Sequence, residues 1–211
     1  RPRELVKGDT TKAFERGASY LNSARTLPEI AEAREAALQQ LRKVSQDEQA
    51  DPPLRVGIIG EIYVQLEPFA NFYLEETLGH MGVTVRRSIY LTSYTKHDVL
   101  STRGDLRSQK LAEPYLPLRI GGHGQNSVGD VIRYSRLGYD GVVQLAPFSC
   151  IPEIVAKSLM PYLSREFGIP VLTMFIDEQT GRTGVQTRLE AFVDLMRQSR
   201  EKRSAEIGAA V

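Results

Sequence analysis

"DGVVQLAPFSCIPEI", Asp140 to Ile154, joins a run of apolar residues to a segment that begins with proline and has helical spacing. The apolar run predicts a β-strand that is buried on both faces. Pro152 suits the first turn of a helix, because a proline there loses no helical hydrogen bond. The stretch therefore predicts a strand, a short loop that contains Cys150, and a helix. This is the repeating unit of a parallel α/β sheet.

The same alternation of strands and helices extends over most of the chain. The other predicted strands are LRVGIIG, VTVRRSIYL and IPVLTMFID. Apolar spacing predicts helices in FANFYLEETLGHMG, GQNSVGDVIRYSRLG, PEIVAKSLMPYLSREFG and VQTRLEAFVDLMRQSREK, the third of them kinked or broken at Pro161. Residues 92–117 are irregular and charged, with one short helix expected. The pattern predicts a flavodoxin-like or Rossmann-like three-layer α/β domain with a four-stranded parallel sheet over residues 51–200.

The two ends of the chain differ from this central domain. Residues 1–50 have helical spacing, with Pro28 in a first helical turn, and DEQADPP then reads as a linker because adjacent prolines cannot continue a helix. Residues 201–211 are expected to form a C-terminal tail. The chain begins with Arg1 and no methionine, as a processed product or a piece of a larger polypeptide would, and we expect a piece.

Composition excludes several classes of protein. The net charge of the 211 residues is +1, which gives little support for binding nucleic acid through phosphates. No apolar run approaches the roughly 20 residues that span a bilayer, and no secretory signal is visible, so a cytoplasmic location without membrane contact is expected. One cysteine excludes an internal disulfide, and with His80, His97 and His123 far apart it forms none of the usual zinc patterns.

Three loops are expected to meet at the carboxyl edge of the sheet, where open parallel sheets bind their ligands. They are GEIYVQLEP after the first strand, APFSCIP after the third and DEQTGRTG after the fourth. Glu61, Cys150 and Glu178 should then lie along one edge, which we call the rim. Neither Tyr63 in the first loop nor the cysteine in the second is required by the amphipathic pattern.

The residue type and position of Cys150 are compatible with three roles. A free cysteine is often a small buried hydrophobic residue. It could instead be a nucleophile, since a helix start favours a thiolate with a lowered pKa, although a base such as His123 would have to approach in space. The third role is that of a metal ligand, for which this chain supplies no partner thiolate. The residues alone leave these alternatives open.

The turn GGHGQNS, residues 121–127, resembles a glycine-rich anion-binding loop before a helix. Ser127 occupies the place of the third glycine of GxGxxG, and the preceding LPLRI is a weak strand. A tight structural turn is the more economical interpretation. The alternative is a flavodoxin-like domain that binds a phosphate-bearing small ligand there, which fold analogy alone does not establish.

Three longer stretches, which together contain all the rim loops, are similar to a known superfamily. They are GEIYVQLEPFANFYLEETLGHMGV, GGHGQNSVGDVIRYSRLGYDGVVQLAPFSCIPEIVAKSLMP and IDEQTGRTGVQTRLEAFVDLM. In this order they resemble the 2-hydroxyacyl-CoA dehydratase-like superfamily, and most of all its acyl-CoA dehydratase activase-related branch, the CoA-substrate-specific enzyme activases. The resemblance covers about Leu54 to Arg197.

The resemblance implies an iron–sulfur function. In that superfamily, Rossmann-like domains hold a 4Fe–4S cluster through cysteines of more than one domain. An ATP-hydrolysing activase supplies the low-potential electron for a radical elimination of water from a 2-hydroxyacyl-CoA. Cys150 corresponds to a cluster-ligand position and is the predicted metal and cofactor ligand. The predicted contacts to its surroundings or to an acyl-CoA substrate are Glu61, Tyr63, Ser149, Glu153, Glu178, Gln186 and Arg188.

The chain also departs from that superfamily. A 4Fe–4S cluster takes up to four thiolates and this chain has one, so a sister domain or another subunit would supply the rest. No cluster and no turnover are expected in the isolated segment. Some dehydratases have a cysteine after the first strand, where this chain has GEIY, and no part resembles an activase ATP site. The alternative function is a non-catalytic interaction or regulatory domain, whose exposed rim docks an activase-like partner, a sister domain or a second copy.

Overall fold

The computed structural model describes residues 1–92 and 103–209 of the chain. Its centre is a four-stranded parallel sheet in the order β2-β1-β3-β4, covered by helices, which confirms the predicted α/β class. The strands are β1 (Leu54–Gly60), β2 (Val83–Arg87), β3 (Gly141–Pro147) and β4 (Val171–Ile176). Within the described residues, no helix is both long enough and apolar enough to span a membrane.

The helices occupy the connections between strands and both ends of the chain. In chain order they are α1 (Asp9–Ser23), α2 (Leu27–Arg42), α3 (Ile62–Leu66), α4 (Leu74–His80), α5 (Arg103–Ala112), α6 (Gly124–Arg136), α7 (Ile151–Glu166) and α8 (Arg182–Ala209). The chain divides into two compact units. One comprises Arg1–Pro53 with Gly79–Thr84, and the other comprises Leu54–Leu78 with the residues from Val85 onward.

The first unit is built on the packing of α1 against α2. A Cβ atom on Gly17 would lie 2.9 Å from the Cβ of Ala37, so the two helices approach closely at this glycine. Thr26 accepts a hydrogen bond from the Glu29 N–H, and Pro28 lies in the first turn of α2 as expected. These contacts make residues 1–50 predominantly helical, as the apolar spacing predicts.

The core of the second unit lies on both faces of β1 and β3. The side chains of β3 from Val142 to Ala146 are buried, and Tyr134 of α6 is fully buried against the sheet. A Cβ atom on Gly57 would lie 2.4 Å from the Tyr134 ring, so this glycine makes room for the tyrosine. Both faces of the central strands are therefore covered, which explains their continuous apolar pattern.

The third predicted helix, α7, was expected to be kinked or broken at Pro161. It is not broken, because it runs from Ile151 to Glu166 through the proline. Proline has no N–H, so the carbonyl of Lys157 has no helical hydrogen-bond donor at position 161. Both Lys157 and Pro161 lie on the exposed side of α7. Water can satisfy that carbonyl. Met160 and Leu163, on either side of the proline, are buried in the core and hold the helix in place.

Other element boundaries also differ from the predicted ones. Helix α4 begins only at Leu74, because Phe72 and Tyr73 both have positive φ angles, 57° and 56°. Residues 116–120 form no strand, and β2 ends at Arg87. The short helix expected after residue 92 is found as α5, whereas residues 93–102, including His97, lie outside the described residues. The last helix continues as far as Ala209, through the segment expected as a tail.

Asp140, just before β3, ties the end of α8 to the sheet. Its buried carboxylate accepts hydrogen bonds from the Arg55 N–H (2.8 Å), from Arg200 Nε (3.0 Å) and from the Arg203 guanidinium (3.1 Å). A second bond from the Arg200 guanidinium completes a bidentate pair. Bidentate geometry and burial make this pair stronger than an ordinary surface ion pair.

We expect Asp140→Ala to lower the free energy of unfolding by about 2 kcal/mol, because a main-chain N–H and two guanidinium groups lose their acceptor. Asp194→Ala is the matched control, since Asp194 lies on α8 and pairs with Arg197 at the surface. That pair should contribute less than about 0.5 kcal/mol. Urea unfolding of both variants measures the difference. Equal midpoints for the two variants would contradict the assigned role of Asp140.

Candidate functional site

The rim is formed by the loops that follow β1, β3 and β4. Gly60 pairs in register with Leu145, and Pro147 pairs with Ile176, so these strands end at the same edge. Glu61 follows β1, Cys150 follows β3, and Glu178 follows β4. The parallel register thus places all three predicted residues on one edge of the sheet.

Gly60 fixes the start of the first rim loop. Its φ is 122°, in the region that only glycine adopts easily, and a Cβ atom there would lie 1.8 Å from the Leu145 carbonyl oxygen. The next residue, Glu61, donates its N–H to that same carbonyl at 2.9 Å. The Glu61 carboxylate accepts the Val64 N–H at 3.1 Å and so caps α3. This carboxylate is therefore held at the rim by backbone geometry.

Cys150 is the residue that caps the N-terminus of α7. Its N–H donates to the Pro147 carbonyl at 3.0 Å, and its own carbonyl accepts from Ile154 at 3.0 Å. The residue is partly exposed, so it is not a fully buried packing group. The side chain of Cys150 makes no capping hydrogen bond to the first turn of α7. Backbone bonds therefore place the residue at the surface of the rim, where α7 begins.

The pKa of the Cys150 thiol lies above its ordinary value, and the expectation of a lowered pKa at the helix start is wrong. Burial is the largest cause, and the negative charges of Glu153 and Glu61 act in the same direction. The nearby N–H of Glu153 acts in the opposite direction but does not outweigh these effects. Burial, together with two nearby carboxylates, thus cancels the advantage that a helix N-terminus gives a thiolate.

Glu153, in the first turn of α7, is fully buried at 0% exposure. Its carboxylate accepts hydrogen bonds from Ser127 Oγ at 2.9 Å and from Gln144 Nε2 at 2.8 Å. Gln144 Nε2 also reaches the Glu153 carbonyl at 3.2 Å, and Thr173 Oγ1 donates to Gln144 Oε1 at 2.9 Å. Burial raises the pKa of Glu153, while these hydrogen bonds lower it in part. We call these four residues the Glu153 network.

The glycine-rich turn before α6 packs against the start of α7. A Cβ atom on Gly124 would lie 2.5 Å from the Pro152 carbonyl oxygen, and one on Gly122 would lie 3.0 Å from the Pro152 ring. Gly122 also has a φ of 50°. Close packing therefore accounts for both glycines without a bound phosphate. The structural turn, the more economical interpretation of GGHGQNS, is the one that this geometry favours.

The remaining predicted contacts lie on the rim loops, on α3 and on α8. Tyr63 on α3 and Ser149 beside Cys150 are exposed, as is Glu178 after β4. Gln186, on α8, donates to Glu190 at 2.9 Å. Arg188 is exposed on the same helix. Glu61 and Glu153 are the predicted residues whose charges act on the Cys150 thiol.

Exposed apolar side chains lie in two of the rim segments. Phe148, before Cys150, is 69% exposed, and Ile151, the first residue of α7, is 71% exposed. Tyr63 in the first rim loop is 64% exposed, and Phe69, just after that loop, is 79% exposed. Exposed apolar side chains that form a patch are typical of interaction sites.

Sequence reasoning missed three members of the Glu153 network, namely Ser127, Gln144 and Thr173. One signal was available, since Gln144 is a polar residue within the apolar run GVVQLAP. A polar side chain in a strand buried on both faces needs a buried partner. The pattern does not reveal which residue that partner is, because Glu153 lies on the following helix.

Among the described residues, no group of three or more His, Cys, Asp or Glu side chains is arranged to hold a metal ion. Comparison of the sequence with models of known protein families and with curated protein sequences finds no match to either. The fold and rim define an α/β domain with an open carboxyl edge. Function is therefore argued from the residues of that edge.

The pH dependence of alkylation tests the electrostatics of the rim directly, because the chain has a single cysteine. The thiolate is the reactive form, so a raised pKa means that the iodoacetamide rate reaches half its maximum at a higher pH than for a free cysteine peptide. Glu61→Gln removes a negative charge and should move that midpoint to lower pH. Glu178→Gln should leave it in place. A midpoint below that of the free peptide would contradict this account.

Proposed function

We propose that this chain is one domain of an iron–sulfur protein related to the 2-hydroxyacyl-CoA dehydratases. In this proposal Cys150 contributes one thiolate to a 4Fe–4S cluster that a sister domain or another subunit completes. The observation that carries the proposal is the position of Cys150: partly exposed, at the N-terminus of α7, on the carboxyl edge of a parallel sheet. The resemblance of the rim sequences to that superfamily supports it.

The residues present fit a cluster as the source of one ligand and not as a complete site. The sequence has one cysteine, and the described residues contain no further cluster of metal-ligating side chains. The thiol must lose its proton to bind iron, which the positive charge of the metal would favour against the nearby carboxylates. When bound, such a cluster supplies low-potential electron transfer. The isolated chain is expected to be colourless.

The chain's own groups would then act on the sulfur. The nearby N–H of Glu153 lowers the pKa of the thiol and would favour the thiolate form. Hydrogen bonds to a cluster sulfur raise the reduction potential, and the neighbouring carboxylate charges of Glu61 and Glu153 lower it. The N–H and the two carboxylates of the rim would therefore shift the reduction potential of the cluster in opposite directions.

An acyl-CoA is the substrate class that we propose, on the basis of the resemblance. Tyr63, Ser149 and Glu178 are exposed on the rim and are available to contact such a ligand. Gln186 and Arg188, on the N-terminal half of α8, are assigned the same role. No catalytic residue is assigned, because the reacting centre would be completed outside this chain.

A second candidate function is a non-catalytic docking domain. The specific observation in its favour is the group of exposed apolar side chains around Cys150, Phe148 and Ile151 above all. An activase-like ATPase, a sister domain or a second copy of the chain could cover them. A single thiol with a raised pKa is also compatible with this role.

Iron analysis of the natural protein that contains this chain, purified without oxygen, separates the two functions. Cys150→Ala should lower bound iron and sulfide and bleach the visible absorption of the cluster, because one ligand is lost. Ser158→Ala, on the exposed side of the same helix, is the matched control. Iron content that is unchanged in Cys150→Ala would remove the ligand assignment and leave the docking function.

A further inference from the structure

β4 lies at one end of the sheet and pairs in parallel with β3. Among the described residues, no strand lies on its other side. All of its side chains except that of Met174 are partly exposed, whereas the side chains of β3 from Val142 to Ala146 are buried. β4 is therefore an open edge strand.

The outer edge of β4 presents main-chain groups that point away from β3. The carbonyls of Pro170 and Ile176, one before and one at the end of β4, both accept main-chain hydrogen bonds from the side of β3, at 2.9 and 3.1 Å. In a parallel ladder, alternate residues direct both of their main-chain groups to the same neighbouring strand. The residues that direct these groups outward are therefore Val171, Thr173 and Phe175. Their N–H and C=O groups form the row of donors and acceptors with which a further strand pairs.

The sequence of β4 lacks the features that protect uncovered sheet edges. VLTMFI contains no charged residue and no proline, and its register with β3 is continuous, without a bulge. By contrast β2, at the other end of the sheet, contains Arg86 and Arg87. Natural proteins place charges, prolines or bulges on edges that stay uncovered. In doubly wound sheets of the flavodoxin type, a fifth strand lies at the place beside β4.

A groove of about 450 Å³ runs beside this edge, between β4 and α7. Val171 and Thr173 line it from the strand, and the exposed cationic side chains of Lys157 and Arg165 line it from the helix. Lys157 Nζ lies 4.8 Å from the centre of the Phe175 ring, so its charge lies beside the strand. Within the described residues, the lining of the groove contains no acidic side chain. The groove is therefore positively charged.

We propose that the edge of β4 binds an extended segment of a partner protein as a fifth strand, with acidic side chains on the groove side and apolar side chains on the other face. Side chains alternate between the two faces of a sheet, so every second residue of the added strand meets Lys157 and Arg165. On the opposite face, the apolar side chains of Leu172 and Ile176 are partly exposed. Main-chain bonds would supply affinity, and the alternating side chains would supply specificity.

A second copy of the chain fits this edge less well than an acidic strand does. Antiparallel pairing of two β4 strands about a twofold axis would place both α7 helices on the same face of the joined sheet. Lys157 and Arg165 of the two copies would then lie opposite each other, and like charges across an interface repel. An acidic segment has the complementary charge. The docking edge is independent of the role assigned to Cys150.

Two synthetic peptides, mixed with the chain, test the proposal by NMR. Both have six residues, the length of β4, and valine alternates with glutamate in one and with lysine in the other. With the glutamate peptide in excess, solvent exchange of the amide protons of Val171, Thr173 and Phe175 should slow by about tenfold, because each gains an acceptor. The lysine peptide is the matched control and should leave their exchange unchanged.

Reversal of the groove charges tests the acidic specificity. Lys157→Glu combined with Arg165→Glu should weaken binding of the glutamate peptide by about tenfold and allow the lysine peptide to bind. Lys202→Glu, an exposed position on α8, is the control variant and should bind like the unaltered chain. Equal binding of the two peptides by the unaltered chain would overturn the proposal.

Thr173→Pro tests the main-chain pairing, because it removes the central outward N–H while leaving the bonds to β3 in place. It should abolish the protection, whereas Thr173→Val keeps the N–H and should retain it. If the proline variant fails to fold, the charge-reversed variant decides. Unchanged exchange of the three amide protons with the glutamate peptide would overturn the proposal. Slow exchange that depends on the concentration of the chain alone would assign the edge to a second copy and would also overturn it.

Discussion

The hydrogen bonds of the buried Glu153 carboxylate are the interaction on which the rim depends. Together with the hydrogen bond from Thr173 to Gln144, they join β3, β4 and α6 to the first turn of α7, three residues after the only cysteine of the chain. A charge in such a position is costly unless every oxygen has a donor. Ser127 and Gln144 provide one donor for each carboxylate oxygen of Glu153. These bonds offset the cost of burying the carboxylate and favour one orientation of it.

The rest of the rim is arranged around this point by constraints on the backbone. Gly60 brings the first loop so close to β3 that no side chain fits, and this places the Glu61 carboxylate where its charge acts on Cys150. Gly124 allows α6 to approach α7 in the same way. The pKa of the Cys150 thiol is therefore raised by burial and by the charges of Glu153 and Glu61, although the residue lies at a helix start.

The proposed function is consistent with this combination of order and exposure. A partly exposed thiol at an open edge, with the exposed side chains of Phe148 and Ile151 close to it in sequence, is suited to a ligand that another domain completes. A nucleophile would instead require a base beside the sulfur and a lowered pKa. The rim has the opposite electrostatics, with carboxylates and a raised pKa. Of the three roles that the sequence left open for Cys150, these electrostatics argue against the nucleophile, and the metal-ligand role stays a proposal.

The sequence by itself determined the α/β class, the parallel sheet and the edge on which Glu61, Cys150 and Glu178 lie. The spacing of the apolar residues and the alternation of strands and helices carry this information. A strand that is buried on both faces is a continuous apolar run in the sequence. Only the tertiary structure decided the continuity of α7 through Pro161, the sign of the Cys150 pKa shift and the Glu153 network. These depend on which side of a helix faces water and on which side chains meet across elements. Contacts between residues such as Ser127, Gln144 and Glu153 leave no periodic signal in a single chain.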